Sequence, residues 1–412
     1  MGQLRGGPGA VTRSPRAAIL VAHPGSELYG SDRVLLESVS GLLSDGWDVL
    51  VTVPADGPLV AELRRRGARV ELCPAPVVRK SVLRPRGFVR FAATTLRGLR
   101  RGGALLRRER PAAVFVNTVT IPLWIALARL ARIPVVVHVH EGEGTASPLV
   151  KKVLSAPLLL AQAVIANSAF SLDVLRSAFP SLARRTTVVY NAVPGPEHRR
   201  PARAAIDGDL RVTYIGRLSP RKGVDVAIDA IAELERRGVP ARLDLIGAVF
   251  PGYEWYERDL RRKVAEERLQ SRVAFLGFQP SVWDFLSAGD VVLVPSVADE
   301  PFGNTAVEGI LSGRPVIASA TSGLLEATDG YRTAVTVRPG DAGSIADALQ
   351  QTVEHWADAS AQLDDDVRAA EERHSPQSYQ RRIAELVRAT AASAPKLSQR
   401  ALSPLRLSPR DH

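Results

Sequence analysis

Two carboxylates with seven residues between them, Glu300 and Glu308, lie in the stretch EPFGNTAVEG and carry the sharpest chemical signal in this 412-residue chain. The apolar run before them, Val291 to Pro295, has the character of a buried strand in a parallel sheet. A loop, Ser296 to Gly303, then presents Glu300 ahead of two rigid points, Pro301 and Gly303. Asn304 can cap a helix over Thr305 to Leu311 that stops at Gly313. The first-turn N–H groups of such a helix are unpaired and its dipole favours negative charge, so the turn is an anion site. Phosphate alone would not be held between two carboxylates. The arrangement makes sense if each carboxylate grips hydroxyls at opposite ends of a nucleotide sugar.

A second candidate stands at the exit of the strand Pro134 to Val139, in the run HVHEGEG. A histidine at the carboxyl end of a strand faces a crevice, and this places His140, with Glu141 beside it, ahead of His138, two residues back on the same face. His138 as a structural residue is the other side of that choice. Two histidines at i, i+2 with no third ligand make a poor metal site, and no Asp-x-Asp metal motif is evident in either crevice, Asp364-Asp365-Asp366 falling in a solvated helix, so no metal is expected.

Strands and amphipathic helices alternate around these residues, the pattern of a doubly wound α/β fold in which ligands sit beyond the carboxyl ends of strands. The first such end carries Gly30-Ser31-Asp32-Arg33, with the following helix read from Val34 to Leu43. An ordinary turn capped by Ser31 or Asp32 would also satisfy that stretch. In the second half, the strand Leu210 to Ile215 delivers Gly216-Arg217 and Lys222 into a βα loop, and Gly277-Phe278 follows a later strand. Ala248 to Glu257 is expected to be a surface insertion with exposed aromatics, and Ala320 to Leu325 a further crevice loop.

Composition narrows the classes. A chain this long favours two domains of roughly 180 residues each. One cysteine, Cys73, excludes a disulfide framework and a cysteine-built zinc site. The net charge of +11 calls for an anionic partner, although a GC-rich genome would also raise the arginine count. Aromatics at 5% and the lack of paired Cys/His spacing argue against nucleic acid. Between Arg79 and Arg110 eleven arginines and lysines face one acid, Glu109, with Phe88, Phe91, Leu96 and Leu99 interleaved. A helix of that kind can lie on an anionic membrane surface, and a solvated basic face is the plainer alternative. No apolar run reaches 18 residues, and the opening apolar stretch is too short for a secretory leader, so a cytoplasmic location, at or near the inner face of the cell membrane, is expected.

EPFGNTAVEG resembles the signature of the family-4 retaining glycosyltransferases of the GT-B fold, and GRLSPRKG, from Gly216 to Gly223, resembles that family's G-R-x-x-x-x-K-G element. The resemblance runs from residue 17 to about 390 and is strongest over 211–320. It implies a bacterial enzyme with two Rossmann-like domains facing across a cleft, the acceptor in the first, the donor in the second, and a C-terminal helix crossing back. The implied division is 1–15 disordered, 16–193 acceptor domain, 194–206 linker, 207–373 donor domain, 374–390 crossing helix and 391–412 disordered tail. It implies Arg217 and Lys222, with Gly30, Ser31, Gly303, Asn304 and Thr305, at the donor diphosphate, and Glu308 at the ribose. His140 and Glu300 would be catalytic, at the donor sugar. Where the family carries a glycine pair, this chain has Gly30-Ser31, which sets an extra Cβ and hydroxyl near the phosphates. No cofactor beyond a nucleoside diphosphate sugar is implied; the acceptor would be a glycan or lipid-linked molecule in polysaccharide or envelope assembly. A GT-B phosphorylase, an epimerase, or a non-catalytic nucleotide-sugar-binding protein are the alternatives.

Overall fold

The computed structural model describes residues 17–78, 82, 84–142 and 144–393. The expected disorder over 1–15 and beyond 393, and the basic residues Arg79 and Lys80, lie outside the described residues.

Strands β1 (Ala18–Ala22), β2 (Asp48–Val53), β3 (Arg69–Leu72), β4 (Ala113–Val116), β5 (Val135–Val139), β6 (Ala163–Ala166) and β7 (Thr186–Val188) form an all-parallel sheet in the order β3-β2-β1-β4-β5-β6-β7. Helices α1 (Gly30–Ser44), α2 (Pro58–Arg65), α3 (Pro85–Glu109), α4 (Pro122–Leu130), α5 (Pro148–Ser155), α6 (Ala169–Ala178) and α7 (Pro180–Ala183) make the connections. Alternate residues of one strand enter different cores: Ile19 and Val21 pack with α1 and α2, while Leu20 and Ala22 pack with α3 and α4. That is why the strands are apolar throughout rather than alternating.

The second sheet contains β8 (Leu210–Ile215), β9 (Ala241–Ile246), β10 (Val273–Gly277), β11 (Val291–Val294), β12 (Val316–Ser319) and β13 (Ala334–Val337), again all parallel, in the order β10-β9-β8-β11-β12-β13. Its helices are α8 (Val224–Arg236), α9 (Glu254–Glu266), α10 (Trp283–Ala288), α11 (Asn304–Leu311), α12 (Ser322–Thr328), α13 (Ala342–Glu354) and α14 (Trp356–Arg373). Each half is thus a Rossmann-like doubly wound domain.

The last helix, α15 (Pro376–Ala392), returns to the first domain, where Tyr379, Ile383 and Val387 complete the core beneath α1. Tyr379 Oη lies 2.7 Å from Ser38 Oγ, and Gln380 donates to Glu37 at 2.7 Å. The close approach needs Gly41, because a Cβ there would fall 2.6 Å from the carbonyl oxygen of Gln380. This helix reaches Ala392, so residues 391 and 392 are helical rather than part of a disordered tail. The chain therefore crosses between domains twice. The crossings touch, with Val193 N–H donating to the His374 carbonyl at 3.2 Å and His374 Nδ1 lying 3.3 Å from the Asn191 carbonyl oxygen.

Helix α3 gathers most of the basic segment into 25 residues, of which only Gly98, Gly102, Leu105 and Leu106 are buried. Gly98 and Gly102 let it press onto Leu123 and Leu127 of α4. Phe88, Val89, Leu96 and Leu99 stay exposed among its arginines. Among the described residues no helix is long and apolar enough to cross a membrane.

Candidate functional site

In both sheets the strand order reverses at one place, between β1 and β4 and between β8 and β11. Open α/β sheets bind ligands at such switch points. Here the two face each other, and the sequence-predicted residues gather at the strand ends that border them. Gly216 and Arg217 follow β8, the loop bearing Glu300 follows β11, His23 follows β1, and Asn117 follows β4.

Two helix starts meet across the cleft, and both differ from expectation. Helix α1 begins at Gly30, four residues before the expected Val34, because Asp32 accepts the Tyr29 N–H at 2.8 Å and stabilises an earlier first turn. Gly30 and Ser31 are therefore first-turn helical residues, not loop; Gly30 lines the cleft and Ser31 does not. Helix α11 begins at Asn304, with Gly303 in the flanking position and no side-chain cap. Asn304 is not the cap because its Oδ1 accepts from Asn191 Nδ2 at 2.8 Å. Gly303 is needed for shape: its φ is +127°, and a Cβ would lie 2.7 Å from Leu324 Cδ2. A Cβ on Gly30 would come 3.2 Å from Asn304 Nδ2, so the two helix N-termini are close neighbours.

The cavity between them is about 110 Å³ and is bordered by Gly30, Arg33, Arg217, Asn304, Thr305 and Glu308, with Tyr29 and Phe278 on its walls. That is well below the roughly 300–1,000 Å³ of a small-molecule site, so a nucleotide-sized ligand requires side chains or domains to move. Arg217 is one of the side chains that line it. Its guanidinium lies 3.2 Å from the ring centroid of Phe250 and 4.6 Å from that of Tyr29, a cation–π clamp with one ring from each domain. Burial pulls its pKa below the ordinary arginine value, and its Nε has no hydrogen-bond partner among the described residues. Phe250 is therefore an interior contact and not an exposed residue of a surface insertion. Phe250 is half-buried and Tyr256 is buried, while Tyr253 and Trp255 are exposed as expected.

Glu308 projects from α11 into the cavity. Desolvation pushes its carboxyl up to about 7, with the nearby charge of Arg33 opposing the shift. Glu300 and Lys222 do not line this cavity. They pair with each other at 2.8 Å, and Glu300 also accepts from Ser296 Oγ at 2.8 Å. Lys222 would have to leave that pair to reach a diphosphate. The crevice loop expected over Ala320 to Leu325 is in part helix α12, whose Ser322 Oγ donates to Asp299 at 2.6 Å.

His140 sits just past β5, and its Nε2 lies 3.0 Å from Asn117 Oδ1. Burial, then the neighbouring His138 and His23, hold its pKa well below the ordinary range, so the ring is neutral. His138 is wholly buried, its pKa lowered to about 3 by desolvation, and its Nδ1 lies 3.5 Å from Tyr379 Oη. It belongs to the contact with α15. Glu141 accepts from Thr118 Oγ1, from Val119 N–H at 3.3 Å and from His140 N–H at 3.1 Å, so it braces the loop after β4. The sequence reading missed Tyr29, Arg33, Phe250, His23 and Asn117. The last two obey the strand-exit rule that singled out His140.

Two doubly wound domains closing on one cleft, switch point to switch point, define the class: the GT-B architecture. The family description "Glycosyltransferase Family 4" matches residues 29–194, and "Glycosyl transferases group 1" matches residues 209–355. D-inositol 3-phosphate glycosyltransferase of Nocardia farcinica is 29% identical over 354 residues, 81% of this chain and 74% of that protein. 2-Deoxystreptamine glucosyltransferase of Streptomyces kanamyceticus is 28% identical over 287 residues, 63% of this chain and 72% of that one. Among solved structures, Anabaena Alr3699/HepE in complex with UDP-glucose superposes with a TM-score of 0.77 at 23% identity, covering 90% of this chain and 100% of that one. The chain belongs to the group 1, family 4 glycosyltransferases, and it is a glycosyltransferase.

Proposed function

We propose that this enzyme transfers a sugar from a nucleoside diphosphate sugar with retention at the anomeric carbon. The observation that carries the reading is the convergence of Arg217, the α11 N-terminus and the Glu308 carboxylate on one inter-domain cavity. The reaction separates charge: an oxocarbenium-like sugar forms as the diphosphate leaves. The N–H groups of Asn304 and Thr305 and the α11 dipole oppose the developing negative charge, joined by Arg217 once it swings from its aromatic clamp and by Lys222 once it leaves Glu300. The free Gly30 N–H stands opposite, on α1. Glu308 accepts from the ribose hydroxyls. Glu300 and His140 hold the donor sugar, and attack comes from the face the diphosphate leaves, with the leaving group taking the acceptor's proton. No resident metal or organic cofactor is invoked.

That the likeness to HepE includes a UDP-glucose complex makes UDP-sugars the first donors to try. The relatives are named for D-inositol 3-phosphate and 2-deoxystreptamine, which leaves the acceptor open. The exposed apolar and basic residues of α3 favour a lipid-linked acceptor at an anionic bilayer. The test is thermal shift against UDP-, GDP- and dTDP-sugars, with Arg217→Ala and Glu308→Ala as controls. Stabilisation by one nucleotide, lost in both variants, is expected; a shift that survives both would move the donor site elsewhere.

A further inference from the structure

Four side chains from the first domain form an unbroken buried chain at the switch point between β1 and β4. Asp32 Oδ1 lies 2.7 Å from His23 Nε2, His23 Nδ1 lies 3.2 Å from Asn117 Nδ2, and Asn117 Oδ1 lies 3.0 Å from His140 Nε2. His23, Asp32 and Asn117 are all at least nine-tenths buried. The chemistry of each group gives the chain one direction. A carboxylate only accepts, so His23 must place a proton on Nε2, and its Nδ1 faces the Asn117 amide nitrogen, which only donates, so Nδ1 accepts. With its NH₂ toward His23, Asn117 leaves Oδ1 facing His140. His140 must in turn donate from Nε2, and its Nδ1 is left as a lone-pair acceptor. That atom is buried and has no partner among the described residues.

We infer that Asp32 sets the tautomer of His140 through His23 and Asn117, so that Nδ1 is held as a hydrogen-bond acceptor. Asp32, His23 and Asn117 are positioning residues. Resting on the reading of the site as a donor-sugar site, the consequence is that His140 accepts a hydrogen bond from a sugar hydroxyl rather than offering one. The device needs no charge on His140, whose imidazolium is disfavoured by burial.

Asp32→Asn reverses the chain without removing it. Tyr29 N–H still requires the acceptor that Asp32 Oδ2 supplies at 2.8 Å, so the amide oxygen of the variant stays there and its NH₂ turns to His23. His23 then accepts at Nε2 and donates from Nδ1, Asn117 flips, and His140 carries its proton on Nδ1. The experiment is ¹⁵N-histidine NMR of the intact protein, with the His140 ring assigned from a His140→Asn sample. Wild type should show a pyridine-like Nδ1 and a protonated Nε2 on His140, and Asp32→Asn should exchange the two. Asn117→Leu, which cuts the chain in the middle, should give a mixture of tautomers and serves where Asp32→Asn does not fold. A protonated Nδ1 in wild type, or a His140 tautomer indifferent to both variants, would overturn the inference. With UDP-glucose as probe, turnover by Asp32→Asn should fall on the order of 10–100-fold, mostly in kcat, as a donor then meets a donor. Failure of wild type to bind any nucleotide sugar would count against the donor reading alone, because the NMR result stands without substrate.

Discussion

Glu308 gives the site a proton-linked handle. Desolvation raises its carboxyl from the ordinary value of 4.5 to about 7. Between those values the folded chain holds a proton that the unfolded chain has released. The stability tied to this group is therefore complete below about pH 4.5 and is lost as pH rises through about 7. Thermal melts of wild type and Glu308→Gln should show the wild type losing more stability across that window, and equal slopes would mean the carboxyl is not desolvated. Binding runs the other way, since a ribose diol is best met by the ionised form. UDP-glucose affinity, by calorimetry, should strengthen from about pH 5.5 to about pH 8, and much less in Glu308→Gln. At this scale Glu300, Glu308 and Arg217 are legible in the sequence because each lies in a contiguous patterned stretch. His23 and Asn117 are lone polar residues at strand ends, 94 positions apart. They acquire meaning only when the strand order sets β1 beside β4.

The helices show where sequence patterning stops. Glycine, serine and aspartate before Val34 carry no apolar period, so the first turn of α1 is invisible to periodicity and is fixed by the Asp32 contact with the Tyr29 N–H. Asn304 looks like a cap, but the Asn191 amide claims it. At the start of α11, Gly303→Ala should cost about 1–3 kcal/mol, from positive φ and overlap with Leu324. The helix start would shift with it, so melting temperature should fall and the nucleotide-induced shift shrink; an unchanged melt would mean the loop has room to relax. On α3 the charge run was plain in the sequence, whereas the extent to which its first turns stand clear of the domain was not. If that face meets a bilayer, Val89→Ser with Arg100→Ser should reduce co-sedimentation with anionic vesicles several-fold, each lost basic residue removing about 1 kcal/mol. No binding of wild type to vesicles rich in acidic lipid would end the membrane reading.

Across the whole molecule, side chains from the second domain cap elements of the first. Glu326 accepts from the N–H groups of Ala169 and Phe170 at 2.8 and 2.6 Å, filling the N-terminus of α6, and Asp299 accepts from Thr145 N–H at 3.0 Å. Ser168 Oγ donates to the Pro301 carbonyl, beside Glu300. Glu326→Ala combined with Asp299→Ala should leave both cores intact yet raise the radius of gyration in small-angle scattering. An unchanged radius would show that other contacts hold the cleft shut. The two-domain plan was readable from alternating strand and helix patterns, and the return of α15 was implied by the family resemblance. These cross-domain contacts were not, since a carboxylate that meets a distant helix N-terminus leaves no local pattern. The paired crossings at Val193 and His374 have a mechanical meaning as well. A single tether would let one domain swivel and slide over the other. Two tethers fastened side by side make a pivot that resists twisting, so the loops bearing Arg217 and Glu300 travel on arcs about one point. Opening to admit a substrate and closing over it then retrace the same path, and the parts of the site return to register each time.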